Sequence, residues 1–264
     1  MNMSFYTGAV GAKQFTKKLS VTANNLANVN TRGYKPKTAS FSNLIEYNLN
    51  DGENAVTELQ AGAGAALTRT WTDFSASGVT QTGGEHDYAI LDSNSFFMLQ
   101  DPQTGEITYT RDGHFHKGEY EDGFYLTSAN GKLVLDQNQE PLELEVTDVE
   151  KIQQEMEEGV DDTEDVDDTD DSEDEDKPRI GIYTFANPSR LISRGDNEFI
   201  PMDAGAEAIE NGNASLAQGS LEASGTDVAK EMTRVIECQR AFSYALKMVT
   251  TSDEIESTIN SLRG

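Results

Sequence analysis

The sequence predicts an α+β fold with one long helix at each end of the chain and a central, mostly antiparallel β domain. Two apolar rows with helical spacing and a central series of short strand-like runs support this prediction. The first row stays on one helical face because its steps alternate between three and four residues without a break. Its members are Phe5, Gly8, Ala12, Phe15, Leu19, Thr22, Leu26 and Val29. Residues 1–30 are therefore predicted to form an N-terminal helix.

A second row predicts a helix near the C-terminus. The rise of a helix makes this element about 54 Å long, and Asp227 or Thr226 can cap its start by accepting hydrogen bonds from the first free amides. The row consists of Val228, Met232, Val235, Gln239, Phe242, Leu246 and Val249, and it continues after a phase slip with Ile255, Ile259 and Leu262. We assign this helix and its lead-in to residues 213–264.

The middle of the chain differs from its ends in composition and in pattern. Residues 31–84 are rich in Gly, Ala, Ser and Thr, and we interpret them as an extended connector. Residues 85–212 contain short β-type runs separated by turn dipeptides such as Asp-Gly and Asn-Gly, which predicts a β domain. The runs are "YAIL", "SFFMLQ", "EITYTR", "FYLTS", "KLVLD", "LELEV" and "RIGIYTFA".

The formal charge of −27 limits the partners of the chain. It argues against nucleic acid and anionic lipid, which would repel it. Residues 157–176 hold 14 acidic side chains in 20 positions, and such a density of like charge predicts a disordered loop, placed at 148–178. An EF-hand reading fails because the sixth and twelfth positions counted from Asp161 are Val166 and Ser172, where that loop needs Gly and Glu.

Several other site types are also disfavoured. One cysteine, Cys238, allows neither an intramolecular disulfide nor a thiolate zinc cluster. No apolar run approaches the roughly 20 residues that span a bilayer, and no secretory signal is recognisable at the N-terminus. The sequence therefore predicts no membrane insertion, no cofactor, no metal site and no catalytic residue. A cytosolic protein, or one exported by a machine that reads another signal, fits these features.

The two terminal helices need partners. An isolated helix is marginal in water, and pairing the two apolar rows still leaves the outer faces uncovered. These features are typical of a subunit that polymerises. We expect the termini to be largely disordered in the free subunit and to fold when neighbouring copies supply the missing faces.

The asparagines of "TANNLANVNTRGYK" raise a related question. Asn25 and Asn28 lie in a row beside the apolar face, with Asn24 one turn before Asn28. Amides donate and accept hydrogen bonds without the desolvation cost of a buried charge, which favours interhelical contacts for Asn25 and Asn28. The alternative is helix capping, in which Asn30 and Gly33 adopt left-handed backbone conformations.

Several segments resemble a known family. "ANNLANVNTRGYK" is similar to the N-terminal signature of the flagellar rod and hook axial family, and "FYTGAVGAKQ" resembles its basal-body rod members. "GGEHDYAILDSNSFFML", "YTRDGHF", "GKLVL", "FANPSRL" and "GDNEF" look like successive pieces of the family's β domain. "QGSLEASGTDVAKEMTRVIECQRAF" resembles its closing signature. These segments follow the family's order over most of the chain.

The resemblance implies a discontinuous architecture in which the two terminal helices pair as a coiled coil and the β domain lies outside them. It also implies a structural subunit of the basal-body rod, exported unfolded by the flagellar type III apparatus beyond the cytoplasmic membrane. Its partners would be other copies and other rod and hook subunits, stacked into a helical tube that transmits torque.

We expect thirteen residues at the assembly interface. The polar members would set register between helices, and the apolar members would pack. They are Phe15, Leu19, Asn25, Leu26, Asn28, Val29, Met232, Val235, Gln239, Arg240, Phe242, Leu246 and Val249.

Two other functions stay open at this point. The β domain could act as a surface adhesin or binding module, given its tyrosines and its acidic loop. A metal-dependent enzyme is disfavoured, although His114 and His116 would point the same way on a strand near Glu119 and Glu121. Histidines beside carboxylates on such a hairpin are more typical of a polar sheet face.

Overall fold

The computed structural model describes residues 3–44, 46–48, 60–120, 123–144, 179–202, 208–212 and 214–263. These residues confirm the predicted α+β class, with one long helix at each end and antiparallel strands between them. The helices are α1 (Met3–Ala27) and α2 (Val228–Arg263). The strands are β1 (Lys37–Asn43), β2 (Glu46–Asn48), β3 (Gln60–Gly62), β4 (Ala65–Thr72), β5 (Val79–Gln81), β6 (Tyr88–Ile90), β7 (Ser95–Gln100), β8 (Ile107–Thr110), β9 (Phe115–Tyr120), β10 (Gly123–Ser128), β11 (Leu133–Val134), β12 (Ile182–Phe185), β13 (Leu191–Gly195), β14 (Glu198–Pro201), β15 (Ala208–Glu210), β16 (Leu216–Gln218) and β17 (Ser220–Glu222).

The chain divides into two compact units. The helical unit comprises Met1–Thr31, Lys35–Phe74 and Ser224–Gly264, and the sheet unit comprises Arg32–Tyr34 and Ser75–Ala223. Strands β1 to β4 thus belong with the helices, and β5, β16 and β17 belong with the main sheet. The predicted boundaries at 84 and 212 stay a prediction, and the predicted acidic loop at 148–178 lies wholly outside the described residues.

In the helical unit, α1 and α2 run antiparallel. The hydroxyl oxygens of Ser4 and Ser252 are 2.8 Å apart at one end, and Ser224 before α2 donates to the carbonyl of Asn28 after α1 at the other. Asp227 caps α2, because its carboxylate accepts from the amides of Ala229 and Lys230. Neither helix in the described part of the chain is long and apolar enough to cross a bilayer.

Strands β1 and β4 pack on α1 in the same unit. They pair antiparallel, with a bulge between Ser40 and Phe41. The rings of Phe15 and Phe41 lie 5.7 Å apart, and the side-chain oxygen of Gln14 accepts a hydrogen bond of 3.2 Å from the amide of Leu67. One side of α1 is therefore covered by its own chain.

The sheet unit is built around a nine-stranded antiparallel sheet. Its main path is β13-β14-β8-β7-β11-β10-β9, with β12 pairing both β7 and β15. Strand β7 is buried on both faces, because successive residues Phe96 and Phe97 enter different clusters. One cluster consists of Ile90, Phe97, Leu99, Phe115, Leu126, Val134, Leu142, Ile180 and Ile182. In the other, Phe96 meets Phe185 and Phe199 edge to face.

Several predicted runs differ from the observed strands. "LELEV" forms one isolated bridge, at Glu143, and leaves the described residues after Leu144. The 31–84 segment contains five strands, among them the eight-residue β4, where the sequence predicts only an extended connector. The residues of β1 and β4 are mostly polar or small, so they show no clear strand pattern. The two strands pair with each other across some 30 residues of sequence, which no local pattern reveals.

A buried arginine connects several segments of the sheet unit. The guanidinium of Arg111 donates to the carbonyls of Ile90 and Asp92 at 3.2 and 2.6 Å. It lies 3.7 Å from the carboxylate of Glu222 and 5.6 Å from the centre of the Phe96 ring. Burial lowers the pKa of Arg111, although the Glu222 charge acts in the opposite direction. The guanidinium still remains protonated at neutral pH.

We predict that Arg111→Met destabilises the sheet unit by about 3–5 kcal/mol, because it leaves the buried Glu222 carboxylate without its cation. Chemical denaturation of the purified chain measures this change. Adding Glu222→Gln to the Arg111→Met variant should recover part of the loss, and Arg179→Met, at an exposed arginine, is the matched control. Equal stability of Arg111→Met and the control would contradict the assigned role.

Candidate functional site

The asparagine segment fixes the end of α1 to the following strand. Asn25 is 1% exposed. Its amide nitrogen donates to the carbonyl of Lys37 at 2.8 Å, and its amide oxygen accepts from the amide of Lys37 at 2.9 Å. The side chain thus makes the pair of bonds that a neighbouring strand would make with the start of β1.

Asn28 acts closer to its own helix. Its side chain donates to the carbonyl of Asn24 at 2.8 Å and accepts from the hydroxyl of Thr31 at 3.1 Å. Helix α1 ends at Ala27, so Asn28 lies in the turn that follows it. These contacts are within one chain, and the interhelical role expected for Asn25 and Asn28 stays a prediction.

The predicted left-handed backbone is confirmed for Gly33 but not for Asn30. Gly33 adopts the left-handed conformation with φ of 60°, whereas Asn30 is absent from the described residues with positive φ. A Cβ on Gly33 would lie 2.5 Å from the carbonyl oxygen of Arg111, so both backbone conformation and space require glycine there. The assignment of a left-handed backbone to Asn30 is therefore wrong.

Small side chains line the contact between α1 and α2. A Cβ built on Gly8 would lie 3.0 Å from a methyl group of Val249 and 3.2 Å from the carbonyl oxygen of Ala245. Gly11 also faces Ala245, and Ala12 is buried. The absence of large side chains on this part of α1 lets the two helices approach closely.

The buried row of α2 is not the row with the largest apolar residues. Glu231, Cys238 and Ser252 are buried, and half-buried residues lie between them with steps of three and four. Burial raises the pKa of the Cys238 thiol, and Glu231 pairs with Arg234 at 2.5 Å. The size and hydrophobicity of Glu231, Cys238 and Ser252 do not predict that these positions are buried. Their spacing of seven or fourteen residues is the signal that could have found them.

The predicted interface residues differ in how far they are buried in the structure. Asn25 is buried, and those that are half-buried are Phe15, Leu19, Leu26, Asn28, Val29, Val235, Phe242 and Val249. The exposed ones are Met232, Gln239, Arg240 and Leu246. The role of all thirteen at an interface between copies stays a prediction.

An apolar surface remains on the outward side of α2. Met232, Ile236, Tyr244 and Met248 follow one another at intervals of four or eight residues and are 51–63% exposed. A shallow groove of about 300 Å³ lies among Ile236, Gln239, Arg240, Ser243 and Tyr244. We call Met232, Ile236, Tyr244 and Met248 the outer ridge.

The histidines of the sheet unit form a polar cluster. Nδ1 of His114 lies 2.6 Å from a carboxylate oxygen of Asp87, and Thr82 donates to the other oxygen. The rings of His114 and His116 are 4.5 Å apart. Among the residues that the structure describes, no three His, Cys, Asp or Glu side chains are grouped to hold a metal ion, and Glu121 lies outside them.

Comparison with known proteins assigns the chain to a family. Residues 5–35 match the family of flagella basal body rod proteins, and residues 217–262 match the C-terminal family of flagellar basal body rod FlgEFG proteins. The flagellar basal-body rod protein FlgG of Bacillus subtilis is 32% identical over 276 residues, covering 100% of both chains. The chain belongs to the flagellar basal-body rod protein family.

Other rod proteins support the same assignment. FlgG of Borreliella burgdorferi is 29% identical and covers 100% of this chain and 99% of its own. The hook-basal body complex protein FlhP of Bacillus subtilis is 26% identical over the full length of both chains. The chain is thus a structural subunit of the flagellar basal-body rod. The matched segments of this rod protein contain Asn25 and the outer ridge.

We predict that Asn25→Ala destabilises the helical unit by about 1–3 kcal/mol, because the backbone groups of Lys37 lose their partners. Hydrogen exchange at the Lys37 amide should become faster, and thermal unfolding should start earlier. Asn30→Ala is the matched control, since Asn30 is exposed. Unchanged exchange at Lys37 in Asn25→Ala would show that the two bonds contribute nothing.

A second prediction concerns pH. Burial raises the pKa of Asp87, but hydrogen bonds from Thr82 and His114 outweigh this effect. The charges of His114 and Arg32 act in the same direction as those bonds, and the pKa is lowered overall. The ionised carboxylate therefore stabilises the folded state above the ordinary Asp pKa of about 3.9, and this stability is lost as the pH falls through the lowered value.

Asp87→Asn tests this prediction. The variant should be less stable than the parent at pH 7, and the difference should shrink as the pH is lowered below about 4. Unfolding midpoints measured from pH 7 to pH 3 give the comparison, with Glu85→Gln as an exposed control. A difference that stays constant over this range would exclude the ionised pair as its cause.

Proposed function

We propose that this rod subunit polymerises by packing its terminal helices against those of neighbouring copies, with helix folding completed during assembly. The outer ridge carries the proposal. Large apolar side chains on a soluble protein are seldom exposed in a continuous row unless a partner covers them. Here the row follows a helix that already packs on its own chain along the other side.

The seven-residue spacing along α2 supports coiled-coil packing of α1 and α2. Apolar or small residues at alternating steps of three and four are the pattern with which helices wind around each other. In α2 the buried positions Cys238 and Ser252 are small and lie two heptads apart, and the charged Glu231 occupies the position one heptad before Cys238. A pair built in this way can join further helices, because its outer face is also apolar.

Polar residues beside the outer ridge would set the register of the assembly. Gln239 and Arg240 line the same groove as Ile236 and Tyr244. Burial of a polar residue is tolerated only where a partner group meets it, so a shifted neighbour would be disfavoured. This is the role that we propose for Gln239 and Arg240.

The partners that we propose are other copies of this chain and other rod and hook subunits. The helices would form a tube that transmits torque, and the sheet unit would add lateral contacts. We also propose that the chain passes the cytoplasmic membrane unfolded through the flagellar type III export apparatus. The proposed role is structural and not enzymatic, and it accounts for the outer ridge where an adhesin based on the sheet unit does not.

The double variant Ile236→Asp with Tyr244→Asp tests the proposal. Each lost apolar contact is worth about 1.5–3 kcal/mol, so the two together should weaken association more than a hundredfold. Basal bodies isolated from a strain that expresses only the variant should lack the rod beyond this subunit, and the cells should not swim. The melting temperature of the sheet unit should not change.

Ile236→Leu with Tyr244→Phe is the matched control, because it retains the apolar area. These cells should swim and build complete rods. Normal incorporation of the aspartate variant would contradict assembly through the outer ridge. Unfolding of its sheet unit would instead show that the helices support that unit, and the proposed division of roles would be wrong.

A further inference from the structure

Helix α2 continues well past the beginning of α1. Ser252 faces Ser4, and the helix then runs for a further eleven residues to Arg263. At 1.5 Å per residue this segment is about 16 Å long. All of its residues are exposed, in contrast to the rest of the helix. We call residues 253–263 the overhang.

The overhang has one apolar side with acidic flanks. Ile255, Ile259 and Leu262 follow at steps of four and three, and they are 50%, 56% and 82% exposed. Such steps place them on one face of a helix. Glu254 and Glu256 lie on either side of that face. Helices in proteins gain most of their stability from packing of an apolar face, so a surface that covers this stripe would stabilise the overhang.

The exposed side of α1 is complementary to this stripe. It carries Lys13 and Lys17 one turn apart, both exposed, and α1 contains no acidic residue. The exposed residues that share this side are mostly small or polar, and they are Tyr6, Ala9, Thr16, Ser20, Ala23, Asn24 and Ala27. Small side chains leave room for the apolar stripe, and the lysine stems can lie along it with their charges at the carboxylates.

We propose that the overhang of one subunit docks on the Lys13–Lys17 side of α1 in a second copy. This inference rests on the proposed function and deepens it, because it assigns the two surfaces that meet. The surfaces differ from each other, so the contact is heterologous. Contacts of this kind produce an open helical polymer when the rotation between copies does not close into a ring.

Two other arrangements are disfavoured by charge and by distance. Two overhangs packed on each other would bring the Glu254 and Glu256 carboxylates of both copies together, and like charges repel. Contact within one chain fails because Lys13 and Glu256 lie on opposite sides of the Ser4–Ser252 level, about 20 Å apart along the helix axes. That separation exceeds the Debye length of about 8 Å at physiological salt.

Charge reversal tests the proposal in cells that express only the variant chain. Lys13→Glu with Lys17→Glu should reduce the subunit in isolated basal bodies at least tenfold. Asp253→Lys, Glu254→Lys and Glu256→Lys should do the same. All five substitutions in one chain restore opposite charges in every contact between copies, and they should return incorporation to near the parent amount.

A disulfide between two copies gives an independent readout. In a Cys238→Ser background, one copy carries Lys13→Cys and a coexpressed copy carries Glu256→Cys. Mild oxidation of basal bodies should link the two into a band of twice the subunit mass. Ser257→Cys, on the side of the overhang away from the stripe, replaces Glu256→Cys as the control and should give no band.

The outcomes separate this inference from the proposed function. Failure of the five-substitution chain to recover, or a band with Ser257→Cys and none with Glu256→Cys, would overturn the docking proposal while the parent chain still enters the rod. If the outer-ridge variant also assembled normally, polymerisation through the helices would itself be wrong.

Discussion

The close contact between α1 and α2 determines how the rest of the helical unit is used. A Cβ at position 8 would lie 3.0 Å from a Val249 methyl group and 3.2 Å from the Ala245 carbonyl oxygen, so a larger residue there would require these neighbours to shift. Small side chains of α1 line this contact, whereas the four residues of the outer ridge on α2 remain exposed. The same packing that joins the helices within one chain thus leaves the outer ridge available to neighbours.

The sheet unit follows a different physical rule. Its core is made of aromatic and aliphatic side chains on both faces of β7, and Arg111 donates to the carbonyls of Ile90 and Asp92. Burial of these side chains stabilises the sheet unit from within. The contrast with the helical unit fits a subunit in which one part folds first and the other completes its folding during assembly.

The sequence predicts the helices well and their inward faces only in part. Periodicity locates α1 and α2 to within a few residues, because an unbroken row of steps of three and four has no other common explanation. The predicted row contains Met232 and Leu246, which the structure leaves exposed, whereas it buries Glu231 and Ser252, which lie outside that row. The place of Met232 and Leu246 at an interface between copies stays a prediction. The periodic pattern selects positions by their hydrophobicity, whereas the close approach of α1 and α2 requires small side chains.

Longer-range partners are a second limit. Asn25 bonds to Lys37, twelve residues further along the chain, and β1 pairs with β4 across a long connection. Residues such as these look like a polar helix end and an irregular connector when they are read locally. Their role depends on what the fold brings near them, which no local pattern contains.

The fit at Gly8 also has a mechanical consequence. Sliding α1 along α2 by one turn would replace Gly8 with Ser4 or Ala12, and the side chain of either would press into the Val249 methyl group and the Ala245 carbonyl. The close packing at Gly8 therefore favours one axial alignment of the two helices and opposes sliding of one helix along the other. A rod built from such helix pairs would resist sliding of its helices along one another without covalent cross-links between them.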